Sequence, residues 1–198
     1  MSTRGAIGDA TTREGLPILT IVGTTVALGP LRRDLVSRYH RWANDLATSR
    51  TPGLTWPATM EQEIARYDQR AQATNEVCFT VYQRDPLRPI GVAYLYEIEP
   101  RHARASFGIT IGEADCRGKG YGTEATRLVL DYAFNDYGLQ NVMLTVYEFN
   151  LAGRRAYEKA GFREFGRRRR CSRFGQRLWD LIYMECVASG GVHVEANG

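Results

Sequence analysis

Three glycines at alternate positions stand beside two cations in the run Arg117-Gly118-Lys119-Gly120-Tyr121-Gly122-Thr123-Glu124-Ala125. Before the run, residues 105–111 (Ala-Ser-Phe-Gly-Ile-Thr-Ile) are rich in β-branched and aromatic side chains and read as a strand. After it, Ala125, Leu128, Val129 and Tyr132 recur at helical spacing, and Gly138 stands where a C-cap belongs. Glycine lets the chain turn tightly and lets a ligand approach the backbone. The first turn of the following helix offers free N–H groups and the positive end of a dipole, which favour a phosphate or pyrophosphate. Arg117 and Lys119 add charge of the same sign. The glycines alone also fit a turn that only reverses the chain. Two phosphate-binding patterns fail: Lys119 is followed by Gly120 where a Walker A loop needs Ser or Thr, and the last glycine interval is wrong for a dinucleotide fingerprint.

The spacing Arg-x-x-Gly-x-Gly, met as Arg117, Gly120 and Gly122, resembles the acetyl-CoA loop of the GNAT N-acetyltransferase superfamily. A second block runs Asn150-Leu151-Ala152-Gly153-Arg154-Arg155-Ala156-Tyr157-Glu158-Lys159-Ala160-Gly161-Phe162. It is similar to the family's Asn-x(5)-Ala-Tyr-Glu-Lys-x-Gly-Phe segment, and the two blocks keep the family's order and separation. Trp42-Ala43-Asn44-Asp45 resembles the Trp-x-Asn-Asp of the ribosomal-protein and spermidine branches, and Thr123-Glu124-Ala125 suits the alanine and serine N-acetyltransferase branch. The resemblance covers about residues 18–186. It implies an α/β (α+β) single-domain fold: a mixed, mostly antiparallel sheet with helices on both faces and a central parallel strand pair that splays to admit CoA.

Acetyl transfer from a thioester to an amine needs a held cosubstrate, a neutral amine, a stabilised oxyanion and a protonated leaving thiol. An amine with a pKa near ~10.4 is neutral in roughly one molecule in a thousand at pH 7, so a base or proton-relaying water helps. The resemblance assigns the thioester carbonyl and pantetheine to backbone N–H groups at Gly108, Ile109 and Thr110. It assigns the pyrophosphate to Arg117, Gly118, Lys119, Gly120, Tyr121, Gly122 and Thr123. It makes Tyr157 the acid for the departing sulfur, Asn150 a partner of the pantetheine arm, and Glu97 the acceptor-side base. Trp42 and Trp56 would pack on the acceptor's apolar part. Structural readings stand beside these: Tyr157 as a packing residue, Asn150 as an N-cap, and Glu97 as a solvated strand-end glutamate. Residues 51–57 hold no acid, and Ser106 stands where the spermidine branch often has one, so the chain departs from that branch at its polyamine site. Cys116 adjoins the loop, but the family transfers directly, which makes it a small buried thiol.

Around these groups the chain reads as alternating elements. Residues 18–31 give one or two short strands ending at Pro30. Residues 32–48 form a helix with Leu35, Tyr39, Trp42 and Leu46 on one face, most of it core. Residues 49–57 form a loop and 60–73 a second helix. Strands follow at 77–83 and 90–98, then the central strand, the glycine loop and its helix. The strand 142–147 leads to the helix opened by Asn150. Arg167-Arg168-Arg169-Arg170 then lies in a hairpin with Leu178–Met184, alternate arginines pointing to opposite faces. A solvated strand face and a surface for an acidic partner both fit that run.

The 198 residues bound one domain, with 1–16 a flexible tail, 17–186 the N-acetyltransferase domain and 187–198 a second tail. Hydrophobic content of 43% and charged content of 24% are ordinary for a soluble protein, and no apolar run reaches a membrane span or a signal peptide. Four scattered cysteines and three histidines form no metal-ligand spacing, so no metal is expected and the thiols suit a reducing cytoplasm. The net charge of +4 suits an anionic ligand such as acetyl-CoA, the expected cosubstrate. No nucleic-acid-binding motif flanks the arginines, and a monomer or homodimer is expected. The reading is therefore an acetyl-CoA-dependent N-acetyltransferase acting on a primary amine, a protein N-terminus or a small molecule. Polyamines and aminoglycosides are the substrate-level alternative. The rival class is a non-catalytic acyl-CoA-binding module.

Overall fold

Runs of β-branched and aromatic residues form eight strands across residues 16–45 and 57–189, the residues that the computed structural model describes. Both predicted tails, apart from Leu16 and residues 187–189, lie outside the described residues, as do Leu46 and Trp56. The elements are β1 (Ile21–Val22), β2 (Val26–Pro30), α1 (Val36–Asn44), α2 (Met60–Gln72), β3 (Val77–Gln83), β4 (Arg88–Glu99), β5 (Arg104–Ile111), α3 (Tyr121–Asp131), β6 (Asn141–Tyr147), α4 (Leu151–Ala160), β7 (Arg163–Phe174) and β8 (Arg177–Val187). They make one sheet in the order β1-β2-β3-β4-β5-β6-β8-β7. Every neighbouring pair is antiparallel except β5 and β6.

Alternation along the strands divides the side chains between two apolar layers. On one face Phe79, Val81, Ala93, Leu95 and Phe107 pack with Ala125 and Val129 of α3. On the other, Val92 packs with Val36, Tyr39 and Trp42 of α1 and with Met60 and Tyr67 of α2. The helix expected over 32–48 opens instead as a tight turn at Arg33–Leu35 and becomes α-helical at Val36. The helix after the glycine loop ends its regular part at Asp131 and widens into a π-helical turn over Tyr132–Asp136, before Gly138 at φ 78°. Beyond Val187 the chain stays tied to the fold, because the Ala188 N–H donates to Gln140 O at 2.9 Å.

The arginine hairpin forms as expected, but its alternation does not survive. The ladder between β7 and β8 shifts register at Glu164/Gly166 and again at Arg168/Ser172, and Arg170 adopts φ 47°. Arg167 through Arg170 are consequently all exposed. Arg167 is ion-paired with Glu164, Glu148 and Asp180. Since β7 is the outermost strand, bulges and guanidinium groups there discourage edge-to-edge pairing with another chain, which is the solvated-face reading.

The start of α3 is fixed by Glu124. Its carboxylate accepts hydrogen bonds from the N–H groups of Thr24 and Thr25 and from the Thr25 hydroxyl, which ties the helix to the β1–β2 turn. Burial pushes this carboxyl up, but the hydrogen bonds from Thr25, Thr24 and Val26 outweigh it and hold it below its ordinary value. A folded-state pKa below the unfolded one stabilises the fold above the ordinary carboxylate range, near ~4.3, and that stabilisation is lost as pH falls through the folded value. Glu124→Gln should therefore lower stability at pH 7 by about 1–3 kcal/mol and flatten the acid limb of the stability curve. Denaturant titrations between pH 7 and pH 3 check this; coincident acid limbs for the two proteins would show that Glu124 carries none of the pH dependence.

Candidate functional site

The site begins where β5 and β6 part. They pair at only three positions, Arg104↔Asn141, Ala105↔Val142 and Ser106↔Met143, and then diverge. The Gly112 N–H donates to Ile90 O at 2.8 Å, so the peptides of Thr110 and Gly108, two and four residues back, also turn toward β4. Ile109 turns its N–H and C=O the other way, into the gap. The carbonyl of Ile111, next along that edge, obeys the same alternation and accepts from Arg117 Nε at 3.1 Å. Of the three residues expected to hold the thioester and pantetheine, Ile109 alone has its N–H toward the gap, and the expectation for Gly108 and Thr110 is corrected by strand alternation. Gly108 has a different use: a Cβ there would lie 2.5 Å from the Tyr94 ring, so only glycine lets that ring lie across β5.

The glycine loop closes one end of the gap. Gly118 and Gly120 have φ of 73° and 87°, and among the described residues, their chain neighbours aside, no heavy atom stands within 4 Å of the place where either Cβ would be. The loop thus bends through left-handed conformations that glycine adopts without strain, and it leaves clear space above its backbone. The Gly120 carbonyl accepts the first helical hydrogen bond, from Glu124 N–H at 3.0 Å. The N–H groups of Tyr121, Gly122 and Thr123, one turn earlier, have no intrahelical acceptor. Lys119 is exposed beside them. Arg117 does not stand over the loop. Its guanidinium binds Ile111 O, Gly112 O at 2.9 Å and Asp45 Oδ2 at 2.8 Å, holding the loop against the end of β5. Cys116 is 1% exposed, and burial pushes its thiol up, which fits an inert packing role.

Tyr157 approaches the gap from the α3/α4 face. Asn150 caps α4 through Oδ1, which accepts the Gly153 N–H at 2.9 Å, and its amide NH2 has no partner among the described residues. Two turns later the Tyr157 ring packs edge-on against Phe107 and Phe162, with centroids 6.4 and 6.0 Å away. Its phenol is pushed up to about 12, first by burial and then by the neighbouring Tyr94 and Tyr96 phenols. Its hydroxyl makes no hydrogen bond among the described residues and keeps its proton at neutral pH.

Tyr94, Tyr96 and Glu97 face the gap from the other side of the sheet. Plain alternation would send Tyr96 and Glu97 to opposite faces. A register shift between Tyr96 and Glu99 and a left-handed Glu97 (φ 51°) turn the carboxylate back beside the tyrosines. The Ser106 hydroxyl, across from Tyr96, donates to Glu97 Oε2 at 2.9 Å. Sequence reasoning passed over Tyr94 and gave Tyr96 no role, although aromatic residues at alternate positions of one strand signal a shared face.

Trp42 is not available to an acceptor. It is 3% exposed, its Nε1 donates to Glu113 Oε1 at 3.1 Å, and its ring lies where a Cβ on Gly112 would be 2.1 Å from Cγ. The expectation that it lines the acceptor site is thus corrected: apolar burial and its indole hydrogen bond make it a buttress of β5. Its motif neighbours are structural too. Asn44 bonds both N–H and C=O of Ala58, at 2.8 and 3.0 Å, and Asp45 pairs with Arg117. Trp56 lies outside the described residues.

Residues 26–163 match the family described as Acetyltransferase (GNAT) domain. The chain belongs to the GNAT acetyltransferase family. A Bacillus subtilis protein named Probable N-acetyltransferase YjcK is 35% identical over 106 residues, and the match spans 53% of this chain and 58% of that protein. The spermidine N(1)-acetyltransferase of Escherichia coli is 31% identical over 142 residues, with 70% of this chain and 73% of that protein covered. The structure of spermidine N-acetyltransferase from Vibrio cholerae in complex with CoA and spermine shares the fold, with a TM-score of 0.75, 24% identity, and coverage of 83% of this chain and 96% of that one. Among the described residues of this GNAT protein, no helix is long and apolar enough to cross a membrane. Gly120→Asp would set a carboxylate over the free N–H groups of the loop. Calorimetry should show affinity for CoA falling at least about tenfold, or 1.4 kcal/mol, with the circular dichroism unchanged; equal affinity in the folded variant would remove the loop from CoA binding.

Proposed function

We propose that the protein transfers an acetyl group from acetyl-CoA directly to a primary amine, on a small molecule or a protein N-terminus. The observation that carries this reading is the convergence at one gap of a glycine loop with unpaired helical N–H groups, an inward-facing Ile109 peptide and a protonated Tyr157 hydroxyl. The open space above Gly118 and Gly120 fits a pyrophosphate, and the separation of β5 from β6 fits a narrow chain such as pantetheine. The bound cosubstrate supplies an activated acetyl thioester.

The remaining chemistry falls to this chain. The N–H groups of Tyr121, Gly122 and Thr123 neutralise the diphosphate, with Lys119 adding charge from solvent. Gly118 and Gly120 keep the backbone clear, while Arg117 sets the loop's position. The free amide of Asn150 can bond the pantetheine arm from the mouth of α4. The Ile109 N–H, fixed by its strand, stabilises the carbonyl oxygen as charge develops on it. Glu97 draws a proton from the incoming ammonium directly or through one water, and Ser106 keeps its carboxylate aimed. The neutral amine adds to the carbonyl carbon, the C–S bond breaks as Tyr157 gives its proton to the departing sulfur, and the proton shed by the new amide nitrogen returns through water to the phenolate. The Tyr157 hydroxyl at the gap, free of hydrogen bonds within the described chain, favours an enzyme over a module that only binds acyl-CoA.

A thiol-release assay over peptides, small amines, polyamines and aminoglycosides tests the reaction. Tyr157→Phe keeps the ring's packing against Phe107 and Phe162 and removes one proton. Its kcat should fall by about 10²–10⁴-fold while the Kd for acetyl-CoA stays the same. A phenylalanine variant with normal kcat would pass leaving-group protonation to water. Glu97→Gln should lower kcat or raise the apparent pKa of the rate without altering CoA affinity, and overlaid pH–rate profiles would remove Glu97 as the base.

A further inference from the structure

The acceptor side of the gap has an uneven charge arrangement. Most carboxylates around it are neutralised by arginine. Glu63 is paired with Arg66 at 2.8 Å, Glu76 with Arg70 at 3.1 Å and Glu99 with Arg104 at 2.8 Å. Glu113 binds both Arg38 and Arg41, and Asp68 binds Arg33. Glu61 is engaged at the first turn of its own helix, with the backbone there and the Thr59 hydroxyl. Glu97 alone on α2 and β4 has neither an arginine nor a helix terminus among the described residues, and only the neutral Ser106 hydroxyl bonds it.

The surroundings of Glu97 are aromatic. The Tyr94 and Tyr96 rings lie 5.6 Å apart, and Tyr94 extends across Gly108 toward the gap. One face of the Tyr94 ring is already taken, because the Arg70 guanidinium carbon sits 4.9 Å from its centroid. That face cannot also receive a substrate ammonium, and because Arg70 is paired with Glu76 the pair offers a second cation no free counter-charge.

We infer that this site selects an amine carrying one positive charge on an apolar or aromatic body, and discriminates against polyamines. Glu97 supplies the single counter-charge, the tyrosine rings supply contact for the body, and Arg70 is a positioning and specificity residue that covers Tyr94 and occupies the Glu76 carboxylate. A polyamine placed with one nitrogen at Glu97 would find no free carboxylate on α2 or β4 among the described residues for its other ammonium groups. This inference rests on the acetyl-transfer reading above and names its substrate class.

The test uses the full chain with three acceptors: spermidine, 2-phenylethylamine, and a peptide whose only cation is its N-terminal amine. Thiol release gives kcat/KM, and calorimetry in the presence of CoA gives acceptor affinity independently of turnover. Both singly charged amines should be favoured over spermidine by at least about tenfold. Arg70→Gln frees the Glu76 carboxylate for a second ammonium, so it should shift the ratio toward spermidine by about fivefold or more. Glu97→Gln should weaken binding of the singly charged amines by about tenfold and leave the Kd for CoA alone, which keeps the inference testable if the Arg70 variant does not fold. Preference of the parent for spermidine, or an unmoved ratio in a folded Arg70→Gln protein, would overturn it. Selective binding without turnover of any amine would support the charge selection and overturn acetyl transfer; turnover with spermidine favoured would do the reverse.

Discussion

The divergence of β5 from β6 after Ser106↔Met143 is the constraint on which the site depends. A parallel pair cannot be closed by a short turn, so the chain leaves β5, makes the glycine loop and α3, and returns as β6. Where the two strands remain paired, their side chains are core: Ala105 and Val142 are almost wholly buried. Where they separate, main-chain groups that would otherwise bond each other are left facing a gap with helices on either side. Unpaired peptide groups are costly unless a ligand or water meets them. The fold concentrates that cost at one place, along the edge of β5 at Ile109.

Two side chains hold the loop that closes the gap. Arg117 reaches back to the carbonyls of Ile111 and Gly112, and Glu124 reaches forward to the amides of the β1–β2 turn. The residues between them include two left-handed glycines, which alone would give a mobile segment. Anchoring on both sides fixes the direction of the N–H groups before a ligand arrives, which reduces the ordering required on binding. The charges are placed accordingly. The carboxylate of Glu124 is taken up by the β1–β2 turn, and the Arg117 guanidinium binds Asp45 together with the carbonyls of Ile111 and Gly112.

What could be read from the sequence was local. The loop, the helix after it, the Asn150 cap and the hairpin each depend on residues within a few positions of one another, and their chemistry is visible at that range. The division of labour across the sheet was not. Whether Trp42 lines a pocket or fills a core depends on Gly112, seventy residues later, having no side chain in its way. Whether Tyr94 reaches the gap depends on Gly108 in the same manner. Glu97 is the clearest case: a strict two-residue alternation predicts the wrong face, and one left-handed residue at a bulge reverses it. The two arginines at Arg167 and Arg117 show a further limit, since a cation's partner is set by tertiary proximity and not by the run in which it occurs.

The left-handed Glu97 also explains why the acceptor side can be both aromatic and charged. A non-glycine residue at φ 51° is an uncommon conformation that the surrounding structure must hold in place. Here the ladder resumes at Glu99↔Arg104, the Ile98 N–H bonds Asn75 O at 3.0 Å, and Ser106 holds the carboxylate. Those three restraints let a strand present Tyr94, Tyr96 and Glu97 on one face, which a regular strand cannot do with consecutive residues. On the opposite face the Tyr157 ring packs against Phe107 and Phe162, and burial pushes its phenol further above an ordinary value that already leaves it protonated at neutral pH. The sheet therefore holds Glu97 and Tyr157 in unlike environments, a carboxylate bonded by Ser106 on one side and a half-buried phenol packed on Phe107 and Phe162 on the other.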